Sequence, residues 1–169
     1  MIEKTPWSEL VAVDDIPDTG LHMELDAPPA VRDAVAELAS IRALSRLTAV
    51  FDLTRQGAGV HVAGRVNAVV GQTCVVSLEP METKLDEAID VTFSPSAEVV
   101  STEDGEAPEP LMGGVVDLGA LATEFLLLAI NPYPRKEGVK FTPPGVEPDG
   151  AHPFAALEKL KKRLGGGKP

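Results

Sequence analysis

One cysteine, Cys74, stands in a chain of 169 residues. A disulfide within the chain is therefore excluded, and the lone thiol fits a reducing compartment. Aromatic residues make up only 4% of the chain, against 44% apolar residues. The core must then be built from Val, Leu, Ile and Ala. No run of about 18 apolar residues exists, so no membrane-spanning helix is expected. The start, "MIEKTPWSEL", lacks a cationic stretch followed by an apolar run, so no secretory leader is read and a cytoplasmic location is expected. Three scattered histidines and one cysteine do not make a zinc site, which needs clustered thiolates and imidazoles. No phosphate loop, dinucleotide fingerprint, nucleophile elbow or zinc-protease motif is present. No cofactor, metal or small-molecule substrate is expected, and the chain is not read as an enzyme.

What the chain does have is negative charge. It carries 26 acids against 15 bases, a formal net charge of −11. Such a balance favours solubility and repels nucleic acid at long range. The charge is uneven: from Glu82 to Glu124 there are eleven acids and the single base Lys84, whereas from Lys159 onward there are five bases and no acid.

Apolar periodicity predicts an α+β fold: an antiparallel β-meander of about four to six strands, packed by a buried Leu-rich helix, with an N-terminal and a C-terminal helix. Leu21, Met23 and Leu25 alternate with His22 and Glu24 as a strand should. Asp26 is placed to cap a helix with Pro28 and Pro29 in its first turn and a stripe of Val31, Ala34, Val35 and Leu38. Leu47, Ala49, Phe51 and Leu53 line one strand. Val60, Val62, Val66, Ala68 and Val70 line the next, after a turn at Gly57-Ala58-Gly59. Gly64 marks a bulge or a close approach, and Gly71 a kink. Leu85, Ile89, Val91 and Phe93 line a further strand. Asp117 caps the Leu-rich helix, whose stripe is Leu118, Leu121, Ala122, Phe125, Leu128 and Ala129, widened by Leu126 and Leu127. Asn131-Pro132-Tyr133-Pro134 stops it. The segment at about 96–113, rich in Pro, Glu, Ser and Gly, reads as a mobile acidic loop. Residues 1–150 are expected to form one domain and residues 151–169 a basic helix with a frayed tail.

Two groups of residues invite a functional reading. Cys74, in "QTCVVSLEP", alternates with Val76 and Leu78, which favours burial on the inner face of a strand and an inert thiol; a cysteine hydrolase using Cys74 is the competing reading. His22 and His61 fall on the polar side of strands, and His152 at a helix start. Asp86, Glu87 and Asp90 match no calcium loop and read first as a solvated strand face that blunts a sheet edge. They are also the acidic candidates for holding a basic partner. Lys159, Lys161, Lys162 and Arg163 are the candidates for contact with RNA phosphates, against the plainer reading of favourable charge at a helix C-terminus. Arg135 and Lys136, with Lys140, form a weaker basic group.

Three stretches together resemble a known family: "GRVNAVVGQTCVVSLEPMETKLDEAIDVTF", "VVDLGALATEFLLLAINPYPRKEG" and "HPFAALEKLKK". In order they give a meander carrying a cysteine and a Leu-Glu-Pro turn, a Val-Asp-Leu start to a Leu-rich helix, a Pro-x-Pro stop and a terminal Pro-Phe-Ala-x-Leu helix. This combination, from about Leu44 to Lys162, is similar to the YceD family, the bacterial large ribosomal RNA subunit accumulation proteins. The resemblance implies a non-enzymatic role in ribosome biogenesis, with a ribosomal precursor particle, a basic ribosomal protein or an assembly factor as partner and at most weak RNA contact through the C-terminal helix. An acidic chaperone for a basic protein outside ribosome assembly is the alternative. Many members carry a second cysteine just after the first and more near the chain end. Here those places read "VVSL" and "YPRKEGVKF", so a metal site built on them does not carry over.

Overall fold

The computed structural model describes residues 5–95 and 108–141. The chain divides into two compact units, Met1–Val139 and Lys140–Pro169; the account below concerns the first. The expected C-terminal helix lies outside the described residues, as does the acidic segment 96–107.

Strands rich in Val, Leu and Thr pair in the order of the chain. β1 (Leu10–Ala12) leads through a short 3-10 turn to β2 (Leu21–Asp26), helix α1 (Pro29–Leu38), and three long strands, β3 (Ala43–Gln56), β4 (Gly59–Thr73) and β5 (Pro80–Ser94). Then come β6 (Glu109–Pro110), β7 (Val115–Asp117) and helix α2 (Leu118–Ala129). The main sheet has the order β2-β3-β4-β5-β6, and β1 with β7 forms a separate two-stranded ladder. All pairings are antiparallel except β5 with β6. The expected α+β meander with a Leu-rich helix is therefore what the chain forms.

Period-two alternation decides the inner face. Leu47, Ala49, Phe51 and Leu53 of β3 and Val60, Val62, Val66, Ala68 and Val70 of β4 are buried, together with Ile89 of β5. From α2 the core takes Leu118, Leu121, Ala122 and Leu126, and from α1 Val35 and Ala36. Fully burying a Leu or Val side chain stabilises by about 1.5–3 kcal/mol, so α2 is fixed mainly by Leu118 and Leu126, which have no exposed surface. Leu128, expected inside, is 78% exposed and Leu127 is exposed as well. A stripe as wide as "FLLLA" cannot all face one layer, and Leu126 is the position that points at it.

Other expectations give way to specific causes. Asp26 does not cap α1: β2 runs through it, Pro28 occupies the N-cap position, and no side chain caps the helix. Pro29 at the first helical position has no N–H to satisfy, which lessens the need for a cap. Leu38 is half exposed, because the helix stops there and Ser40, at φ 53°, turns the chain away. At Gly71, expected to allow a kink, β4 continues and is paired on both sides, with Ala43 and with Glu82. Within the segment read as a mobile loop, Glu109 and Pro110 pair with Phe93 and Ser94, and Leu111 enters the core.

Gly64 is a close-approach glycine. A Cβ there would lie 2.5 Å from the Val50 carbonyl oxygen and 2.7 Å from the Phe51 ring. Because Phe51 is fully buried, the ring has little room to give. Gly64→Ala is expected to lower unfolding stability by about 1–3 kcal/mol, the usual cost of overpacking, measured by urea denaturation. An unchanged midpoint would refute the packing assigned to this position.

Candidate functional site

The three acids taken together in the sequence part company in the sheet. In an antiparallel pair, residues directly opposite point to the same face. Asp86 is opposite Asn67 and Asp90 opposite Ala63, whereas Glu87 is opposite Val66. Val66 is a core residue, so Asp86 and Asp90 lie on the outer face and Glu87 on the inner one, where it remains exposed. The two outer carboxylates also have partners. Arg65 Nη1 donates to Asp86 Oδ1 at 2.6 Å, and His61 Nε2 lies 2.8 Å from Asp90 Oδ1. Both are diagonal cross-strand pairs. A third pair, directly opposed, joins His22 Nδ1 to Asp52 Oδ1 at 2.7 Å. The Asp52 carboxylate raises the His22 pKa, opposed by some desolvation and helped by Glu24. The outer face is thus a lattice of exposed pairs rather than a block of unmatched acids. Exposed pairs of this kind are screened by water and contribute little to stability.

Cys74 is not in a strand. β4 ends at Thr73, and Cys74 to Glu79 reverse the chain into β5. The turn is closed by Cys74 N–H donating to the Glu79 carbonyl and Leu78 N–H to the Cys74 carbonyl. Leu78 has φ 60° and is 76% exposed, so it does not share an inner face with Cys74. The local alternation that suggested a strand is overridden by this turn. Cys74 is nonetheless fully buried. The segment after α2 covers it: Pro134 accepts from Val75 N–H, and Lys136 N–H donates to Cys74 Sγ at 3.4 Å, as does Ser77 N–H. Lys136 Nζ closes the cover with a 3.0 Å contact to Glu79 Oε2, and holds the Glu79 carboxyl below its usual range. Gln72 Nε2 adds a bond to the Asn131 carbonyl at 2.9 Å.

Backbone N–H groups aimed at sulfur favour the thiolate. The Lys136 amide is the largest influence, followed by Ser77, and the Cys74 pKa is lowered to about 6, with burial opposing the shift. Among the described residues no imidazole bonds the sulfur, since His22 and His61 are on the outer sheet face with Asp52 and Asp90. The nucleophile–base pair that a cysteine hydrolase needs is not assembled among those residues. Nor do three or more potential metal ligands come together among the described residues.

Of the basic candidates, Arg135 is exposed and Lys136 is committed to Glu79. Lys159, Lys161, Lys162 and Arg163 lie outside the described residues. Sequence reasoning missed the covering of Cys74 by the Pro134–Lys136 segment. The Pro-x-Pro stop was read only as a helix terminator, and nothing local in it points 60 residues back.

A family model described as large ribosomal RNA subunit accumulation protein YceD matches residues 62–161, 100 of the 169 residues. The match begins inside β4 and takes in the acidic segment, α2 and the basic candidates at Lys159 and Lys161. No curated protein and no solved structure shows significant similarity to the chain. Among the described residues no helix is long and apolar enough to cross a membrane.

Cys74 gives a pH prediction. A thiol whose folded pKa is lowered adds stability that is full above the unfolded value, about 8.5, and is lost as pH falls through about 6. The stability difference between the parent and Cys74→Ala should therefore grow in the parent's favour from about pH 6 to about pH 8.5, measured by urea titration across that range. A pH-independent difference would refute thiolate formation. Native alkylation should be slow at neutral pH despite the thiolate, because the sulfur is covered, and fast once the protein is unfolded.

Proposed function

The chain belongs to the YceD family of large ribosomal RNA subunit accumulation proteins, and from that premise we propose that it supports accumulation of large-subunit ribosomal RNA as a non-enzymatic assembly factor in the cytoplasm. The family match over more than half of the chain carries this reading. The mode of action follows from charge. The unit Met1–Val139 contains 23 acids and 9 bases, whereas Lys140–Pro169 contains 6 bases and 3 acids. A body at −14 repels RNA and attracts basic protein; a tail at +3 does the reverse. The body therefore contacts a basic ribosomal protein or assembly factor on the precursor particle, and the tail at most grazes RNA.

Co-sedimentation with large-subunit precursors, with and without nuclease, tests this reading. Truncation before Glu158 is expected to weaken association only modestly. Neutralising Asp86, Glu87 and Asp90 to Asn, Gln and Asn is expected to weaken it more, after confirming that the variant folds. If the tail were the binding element, Lys159, Lys161, Lys162 and Arg163 on about four phosphates would give a slope of log K against log salt of roughly −3 with single-stranded RNA. Loss of association on truncation alone, with that slope, would reverse the assignment. Salt-sensitive binding to basic proteins in general, without co-sedimentation with the precursors, would favour the acidic chaperone.

A further inference from the structure

The strongest unassigned feature lies at the other edge of the sheet. A groove of about 410 Å³ runs between residues 5–9 and the edge strand β2. Its apolar lining includes Trp7, Leu25 and Val31, and its acids are Glu9, Glu24 and Asp26. Glu24, Leu25 and Asp26 are consecutive in β2, and their side chains alternate between the two faces. All three can line one groove only if it follows the strand's edge, which is common to both faces. That edge is open. β2 pairs with β3 on one side, and among the described residues Leu21–Asp26 make no backbone hydrogen bond on the other. The Glu24 side chain is 76% exposed, with its carboxylate 3.6 Å from His22 Nε2; Glu9 and Asp26 are exposed. From Glu9 to Asp26 the chain carries six acids and no Lys or Arg.

We propose that this groove binds an extended, Lys/Arg-rich segment of a protein partner, which adds to β2 as a further strand. Backbone pairing along an open edge supplies affinity without regard to sequence, and alternate side chains are read by what flanks the edge. Here one flank is apolar and the other anionic, so the segment that fits alternates a cation with an aliphatic residue. The same carboxylates repel a phosphate backbone, which excludes RNA as the occupant. The inference deepens the proposed function by adding a second place where the basic partner is held, on the opposite side of the sheet from Asp86, Glu87 and Asp90, and it rests on that reading for the partner's biological source.

Trp7 is the only tryptophan of the chain and lines the groove, so its fluorescence reports occupancy of the full-length protein. The probe is a synthetic ten-residue peptide alternating Lys and Val, titrated at low salt. Saturable change in Trp7 emission is expected, weakening with salt. Glu24→Lys with Asp26→Lys should weaken it about tenfold or more, since the partner's cations would then face like charges. The control Glu37→Lys with Glu82→Lys changes net charge equally at exposed positions outside the groove, and should bind nearly as the parent does. A peptide N-methylated at every residue has no N–H left to donate to a strand on either edge and should bind far more weakly. Equal weakening by both double variants, or equal binding of the N-methylated peptide, would overturn the proposal. So would a change driven equally by an RNA oligonucleotide, a dimer in the free protein that dissociates in the groove variant, or a parent-like shift on removing residues 1–4 alone. The titration uses purified components, so its failure leaves precursor association untouched, and loss of precursor association leaves the titration interpretable.

Discussion

The Asp117 carboxylate joins the N-terminal segment to the start of α2. One oxygen accepts from Ala120 N–H at 3.0 Å and caps α2, and the same oxygen accepts from Glu9 N–H at 2.8 Å. The other accepts from Ser8 Oγ at 2.6 Å. Its backbone pairs with Leu10 in the β1–β7 ladder, and the Glu9 carbonyl accepts from Leu118 N–H at 2.8 Å. A helix start has N–H groups with no partner inside the helix. Here one side chain satisfies one of them and anchors the N-terminal segment in the same stroke. Gly119 lets that segment lie directly on the helix: a Cβ there would come within 2.9 Å of the Trp7 and Ser8 backbone. Capping of α2, burial of Leu118 and the position of Trp7 are thus one arrangement. The groove beside β2 has its second wall only because of it.

The sheet outside this anchor follows a simpler rule. Two helices cover one face, and the other meets water. Water-facing positions on β2 to β5 pair carboxylates with Arg65, His22 and His61, while Glu9 and Asp26 beside the β2 edge have no ion-pair partner among the described residues. Charge at an edge discourages pairing with another acidic chain, including a second copy of this one. It offers no such barrier to a basic strand. The same residues that protect the edge from self-association select the kind of chain that can join it.

Much of this was legible in the sequence, and the exceptions have physical reasons. The faces of β3, β4 and β5 follow from strict alternation over long strands, where a one-residue slip would expose the whole apolar set. Gly64 and the Asp117 cap are local signals with local consequences. The Asp86, Glu87 and Asp90 split was also readable, since residues of opposite parity on one strand face opposite ways, though grouping them by charge hides it. The β1–β7 ladder and the Trp7 segment were not readable. Three-residue strands carry too little pattern, and their partners are more than a hundred residues away. Cys74 misled because alternation in "QTCVVSL" suits a strand, while the turn depends on Leu78 adopting φ 60° and on amides arriving from beyond α2.

The placement of Cys74 bears on which chemistry this scaffold retains. A turn that aims N–H groups at a sulfur stabilises negative charge on it, whether or not anything binds there. Here the charge is met by amides from Ser77 and Lys136 and by the Lys136 cover rather than by further thiolates. The arrangement therefore acts within the fold. It ties the β4–β5 turn to the chain leaving α2, just as Asp117 ties the N-terminal segment to the chain entering it. Both ends of α2 are fastened through an anionic side-chain group bound by backbone N–H donors, one carboxylate and one thiol poised to ionise near neutral pH. A helix fastened at both ends holds the inner face of the sheet closed, and leaves the edges and outer face as the surfaces on which a partner can act.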